Sequence, residues 1–256
     1  MTGVLPIGLA NSTKVIGNVI HSIKEYVMVI QLHGDAREPD VKRVVEYFKG
    51  DIYQKPPLRS SVKRSIRVRR IYEIELLEIR DRFILVRVLS DPGTYMRKLA
   101  HDIGLMLGTG AHMRELRRTR TGPYREDETL VRLQDISEAL ALWRSSGDER
   151  YIRKIILPVE TSIAHLPKIM ILDTAVDAIA HGANLAVPGI ARLTSNVERN
   201  KSVAILTLKG ELVALGTALY NAEEIAGMKK GIVVRTRRVV MPTGIYPPAW
   251  RKGQPG

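Results

Sequence analysis

Two runs of cationic side chains and one arginine beside a glycine turn are the residues of this chain best suited to chemistry. From Lys55 to Arg70, KPPLRSSVKRSIRVRR carries seven cations and no acid, and from Arg114 to Arg125 five arginines stand with one Glu. Clusters of one sign build a local positive field, which attracts polyanions beyond what solubility requires. The chain as a whole leans the same way, with 40 Lys plus Arg against 27 Asp plus Glu and a net charge of +13. Nucleic acid is the expected partner. The candidate contacts are Lys55, Arg59, Lys63, Arg64 and Arg67 in the first run and Arg117, Arg118 and Arg120 in the second. Arg97 follows Gly93-Thr94-Tyr95 at the start of a helical pattern, where its guanidinium can offer a two-pronged fork to a carboxylate or phosphate. An ordinary exposed helix arginine would have the same spacing, and pattern alone leaves both readings open.

Other chemistries find little support. No GxxxxGK[ST] phosphate loop, HExxH helix or nucleophile elbow occurs, and the six His are scattered. His101 and His112 read as packing or hydrogen-bonding residues. The absence of Cys removes disulfides, thiolate zinc sites and thiol catalysis, and suits a cytoplasmic protein. No apolar run approaches the roughly 20 residues of a membrane-spanning helix, so no membrane partner is expected.

The elements that must carry these residues change in character along the chain. Ile71–Ile79 and Phe83–Val88 are rich in β-branched and aromatic residues and read as strands joined by a tight turn at Arg80-Asp81-Arg82. Tyr95, Leu99, Ile103 and Leu107 recur at helical spacing, with Gly108 as terminator. A second helix is expected over Leu133–Trp143, then a polar loop from Ser145 to Arg150. Beyond His165-Leu166-Pro167, Asp173 is placed to cap a short helix ending at Gly182. Strands at 203–208 and 211–216 flank a Lys209-Gly210 turn. The last strand carries Arg235, Arg237 and Arg238, two of them on one face by alternation. The fold class is α+β: a mixed sheet with helices, followed by a small β-barrel-like module.

Four runs together identify a relationship: KEYVMVIQLHG from Lys24, QKPPLRSSVKR from Gln54, GTYMRKLAHDIGLMLGTGAHMRELRRTRTGPYREDETL from Gly93 and HGANLAVPGI from His181. In type and order they resemble the archaeal and eukaryotic guide-RNA pseudouridine synthases of the dyskerin type, relatives of the bacterial tRNA pseudouridine synthase B family. The resemblance covers nearly the whole chain. It implies a synthase catalytic domain over residues 1–165, a PUA RNA-binding domain over 166–245 and a tail at 246–256. Arg235 and Arg237 then join the candidate RNA contacts.

The implied reaction breaks the bond between uracil and ribose, turns the base and rejoins it through carbon, with no metal or cofactor. The target must first leave its stack. By resemblance, Tyr26 stacks on the flipped base, Arg97 pairs with the catalytic Asp, and Leu116 lines the same pocket. Read from the residues alone, Tyr26 could equally be a strand tyrosine filling the core. Lys63 is a further pocket or backbone contact. The implied substrates are tRNA, at the TψC arm, and ribosomal RNA selected by an H/ACA guide RNA, with small ribonucleoprotein proteins as further partners.

In this family Thr2-Gly3-Val4-Leu5-Pro6 is the tail of a longer motif whose head, Gly-Thr-Leu-Asp-Pro, holds the catalytic Asp. That head, and the Lys-Pro-x-Gly-x-Thr-Ser segment before it, are not among the 256 residues. The expectation is a family member lacking its N-terminal part, from a start codon set too far downstream. Asp35 and Asp40 fall after Tyr26, at the wrong place in the motif order to replace the missing Asp. The alternative function is a non-catalytic RNA-binding or ribonucleoprotein scaffold protein.

Overall fold

The computed structural model describes residues 2–56 and 65–248. Its contacts group into two units, one of residues up to Pro6 together with Ile20–Tyr151, the other of Ile7–Val19 and residues from Ile152 on. The two units are therefore not produced by a single cut in the chain. The chain passes from one to the other after Pro6, within the short helix α1 (Ile16–Ile20) and within α5 (Arg150–Ile155).

The first unit is built on β1 (Thr2–Gly3), β2 (Lys24–Leu32), β3 (Gly50–Gln54), β4 (Arg67–Arg80), β5 (Phe83–Ser90), β6 (Ala111–Thr121) and β7 (Tyr124–Arg125). Their order is β1-β6-β2-β5-β4-β3, with β7 on β6. β1 runs parallel to β6, while the other pairs are antiparallel. Strand alternation sends Met28, Ile30 and Leu32 of β2 and Ile84, Val86 and Val88 of β5 to one face. There they meet α2 (Glu38–Tyr47) through Val41 and Val45, and α3 (Met96–Met106) through Leu99 and Ile103. Each of these buried aliphatic side chains contributes about 1.5–3 kcal/mol by leaving water. The hairpin expected after Ile79 forms, with β4 extended on both sides of the expected run and Asp81 at φ 53 in the turn. A short polar side chain tolerates that left-handed backbone. The arginine run from Arg114, read from sequence only as charge, is itself a strand, β6, which pairs β1 on one side and β2 on the other.

Helix ends differ from the sequence reading in two places. α4 (Leu133–Ser146) continues through Ser145 and Ser146, where a loop was expected, and stops at Gly147. That glycine, at φ 72, donates its N–H to the Trp143 carbonyl at 2.8 Å. Asp173 is not a cap: it is the first residue of α6 (Asp173–Ala180), behind Leu172, and favours that end by the sign of the helix dipole.

The second unit is a six-stranded barrel-like sheet of β8 (Lys168–Ile171), β9 (Leu185–Ala186), β10 (Ile190–Leu193), β11 (Ser202–Leu206), β12 (Leu212–Ala218) and β13 (Ile232–Val239), ordered β10-β8-β11-β12-β13-β9. β11 is buried on both faces. Val203 and Ile205 join the cluster beneath α6 and α7 (Ala222–Gly227), while Ala204 and Leu206 pack with Val15 and Ile163. A continuous apolar run is what two covered faces require. In β13, a register shift opposite Leu215 and Gly216 leaves Arg237 with no directly paired residue. The simple alternation expected for Arg235 and Arg237 is interrupted there, and Arg235, Arg237 and Arg238 are all exposed. No helix of the described residues is long and apolar enough to cross a membrane.

A close backbone contact of the first unit lies where α3 crosses β6. A Cβ on Gly104 would stand 2.2 Å from the Ala111 nitrogen and 2.4 Å from its Cβ. Gly104→Ala is expected to lower unfolding free energy by about 2–3 kcal/mol in urea titration, because backbone rather than a flexible side chain must yield. An unchanged midpoint would mean that α3 can withdraw freely.

Candidate active site

A cavity of about 820 Å³ opens on the α3 side of the first sheet, walled by residues from distant parts of the chain. Tyr26 lies on β2 opposite Val88 of β5 and Arg118 of β6. The β2–β6 register slips between Glu25 and Tyr26, leaving Thr119 as an extra residue whose hydroxyl donates to the Glu25 carboxylate at 2.7 Å. Such a bulge redirects the neighbouring side chains, here beside Tyr26. Leu116 on β6 faces the same space and is 9% exposed. Arg97 enters from α3 as the second residue of that helix. It is exposed, and its guanidinium makes no ion pair or hydrogen bond with the described residues.

The cavity thus brings together Tyr26, Arg97 and Leu116, the three residues expected at the site. Lys55 also lines it, as do Thr2 and Gly3 of β1. His101, read from sequence as a packing or hydrogen-bonding residue, is exposed, stands 3.5 Å from the Asp102 carboxylate and lines the wall one turn beyond Arg97. Tyr95, Met96 and Met113 add apolar surface that no single motif announced. Arg59, Lys63 and Arg64 lie outside the described residues.

Several candidate RNA contacts are committed to internal partners. Arg118 donates from Nε to the Val4 carbonyl at 2.8 Å, and its own carbonyl accepts the Val4 N–H at 2.8 Å. Arg120 donates to the Gly122 carbonyl at 2.9 Å. Arg117 forms a two-point ion pair with Glu126 and also reaches the Thr2 hydroxyl at 3.1 Å. Arg67 lies on β4 opposite Gln54, while Arg235 and Arg237 lie on β13 of the second unit. Neither Asp35 nor Asp40 lines the cavity. Asp35 pairs with Arg82 at 2.8 Å, and Asp40 with Arg37 at 2.7 Å and Arg43 at 3.0 Å. Among the described residues no group of three or more His, Asp or Glu could hold a metal ion.

The family models divide the chain in the same order as its motifs. Residues 1–96 match the TruB family pseudouridylate synthase N-terminal domain, 97–164 the tRNA pseudouridylate synthase B C-terminal domain, and 167–240 the PUA domain. A protein of Archaeoglobus fulgidus named "Probable tRNA pseudouridine synthase B" is 53% identical over 251 residues, covering 98% of this chain and 77% of its own. The chain belongs to the TruB family of pseudouridylate synthases. A relative of the same name from Saccharolobus solfataricus is 51% identical and is covered over 98% of its length. Among solved structures, a chain of a Cbf5-Nop10-Gar1 complex superposes with a TM-score of 0.93 at 51% identity, covering 96% of this chain and 74% of that one. A chain of an H/ACA RNP bound to a substrate RNA containing 2′-deoxyuridine gives 0.88 at 47% identity, over 94% and 73%.

One polar group of this TruB-family unit is buried on the cavity's own strand. Lys24 precedes Tyr26 by two residues, and its ammonium donates to the carbonyls of Ile20 at 2.7 Å and Ser22 at 2.6 Å. Burial, and then the charge of Arg118, push its pKa from 10.5 down to about 8. Between those values the unfolded chain keeps this proton and the folded chain releases it. The group's contribution to stability therefore rises with pH across that window. The stability difference between wild type and Lys24→Met, measured by urea titration at neutral pH and at about pH 10, is expected to move toward wild type at the higher pH. A flat difference would place the ammonium in water.

Proposed function

We propose that this chain is the body of an RNA pseudouridine synthase, isomerising uridine in the TψC arm of tRNA or in ribosomal RNA chosen by a guide. The observation that carries the reading is the convergence of Tyr26, Arg97 and Leu116 on one cavity. The reaction breaks the N1–C1′ bond and forms C5–C1′ in its place, and the C5 proton is lost as N1 gains one. No oxidant or co-reactant is needed. Tyr26 offers a ring face to a uracil outside its stack, and Leu116 keeps water from that side. Arg97, with no partner among the described residues, is free to hold a nucleophilic carboxylate ionised and aligned. Thr2 and Gly3 line the cavity, so a Gly-Thr-Leu-Asp-Pro head a few residues before them brings its Asp toward the cavity's edge. The solved relatives assembled with Nop10, Gar1 and substrate RNA support a ribonucleoprotein as one working form.

Two measurements test this. The polypeptide extended by the upstream segment that carries Gly-Thr-Leu-Asp-Pro, incubated with tRNA transcript or a guide-assembled RNA, is expected to form pseudouridine. Asp→Asn in that head is expected to abolish conversion, and Arg97→Ala to lower kcat by about 100-fold or more while RNA Kd moves less than about twofold. Conversion by the polypeptide without the head would overturn the assigned nucleophile. RNA affinity is also expected to fall steeply with salt. Joint Ala substitution of Lys55, Arg59, Lys63 and Arg64 is expected to reduce the log–log slope by about three to four, and an unchanged slope would remove that run from the interface.

A further inference from the structure

Gln54 is the last residue of β3, only 2% exposed, and the only amide side chain among the buried polar residues described. Its carboxamide makes two hydrogen bonds to a single residue 41 positions away. Oε1 accepts the Tyr95 N–H at 2.8 Å, and Nε2 donates to the Tyr95 carbonyl at 3.2 Å. Tyr95 is the N-cap of α3 and has no side-chain cap of its own, while its carbonyl also takes the Leu99 N–H at 3.0 Å to open the helix. One bond would fix the distance of this peptide, and two fix its orientation as well. Only a group with a donor and an acceptor side by side can do both. A carboxylate lacks the donor, and Asn lacks the reach by one methylene.

The elements joined in this way both contribute to the cavity wall. Lys55, the next residue after Gln54, lines it, as do Tyr95 and Arg97 at the start of α3. We propose that Gln54 is a positioning residue, whose buried carboxamide sets the start of α3 and thereby aims Arg97 across the cavity toward the Tyr26 wall. The role rests on the reading of the cavity as a nucleotide pocket. Gln54 itself touches no reacting atom: it acts through the Tyr95 peptide, two residues before Arg97. Because Arg97 has no side-chain partner among the described residues, the direction of the helix start is the constraint the fold places on where its side chain leaves the backbone.

The test separates this proposal from the reading beneath it and needs no turnover. A stem–loop RNA carrying 2-aminopurine beside the loop uridine reports departure of that uridine from the stack through a rise in emission, and anisotropy on the same RNA gives Kd. Tyr26→Ala and Arg97→Ala are expected to diminish the emission rise. If neither does, the pocket reading fails and this proposal falls with it. If they do, Gln54→Leu is expected to cut the rise by about fivefold with Kd changed less than about twofold, and to add no further loss in an Arg97→Ala background. Full emission from the Gln54 variant, or an effect that adds to that of Arg97→Ala, overturns the proposal. Should Gln54→Leu fail to fold, Gln54→Glu, which keeps the acceptor for the Tyr95 N–H and loses only the donor, takes its place, with a smaller loss expected and full emission again decisive against it.

Discussion

At Gly104 the backbone of α3 approaches the start of β6 so closely that no side chain fits between them, and the Gly110 N–H closes the contact by donating to the Gly104 carbonyl at 2.9 Å. This single approach fixes the helix over the strand. Leu116 lies on that strand and Arg97 two turns back along that helix, so the distance across the cavity follows from it. The other end of α3 is held by Gln54 through Tyr95. A helix pinned at both ends on a sheet buried by Leu99 and Ile103 has little freedom to tilt, and a pocket built on it is preorganised rather than assembled on demand.

The same economy governs the N-terminal strand. Gly3 sits at φ 106, and a Cβ there would lie 2.1 Å from the Arg118 carbonyl oxygen. Only glycine lets β1 lie this close to β6, and Arg118 secures it with side chain and backbone together. A guanidinium that could serve a phosphate is used here to hold a carbonyl, and Arg117 and Arg120 are similarly engaged. The charges of Arg118 and Arg120 persist even so, because an internal hydrogen bond to a carbonyl does not remove charge, whereas Glu126 offsets that of Arg117. Steering of a polyanion and direct contact with it are thus divided among different arginines. Lys24 belongs with them: its ammonium is tied to two carbonyls beside the strand that carries Tyr26, at the cost of a depressed pKa.

Much of this was legible in the sequence. The β-branched and aromatic content of Phe83–Val88, the helical stripe through Leu99 and Ile103, and Gly108 at φ 74 after α3 all follow from local rules, because local geometry is written in neighbouring residues. The motif blocks around Tyr26, Gln54 and Gly93 identified the family and named Tyr26, Arg97 and Leu116 before any distance was known. Charge marked the partner class. What local rules could not supply was pairing. That the arginine run would be a strand between β1 and β2, that Val15 would pack with Ile163, and that Thr119 would bulge beside Tyr26 depend on which distant segments meet. No spacing in one sequence encodes such meetings, since they are decided by the joint burial of many faces at once. The candidates for the site were therefore named by the sequence. Which arginines remain available to a ligand, and which amide aims the helix, was decided only when the tertiary structure brought a carbonyl or a carboxylate within reach of each.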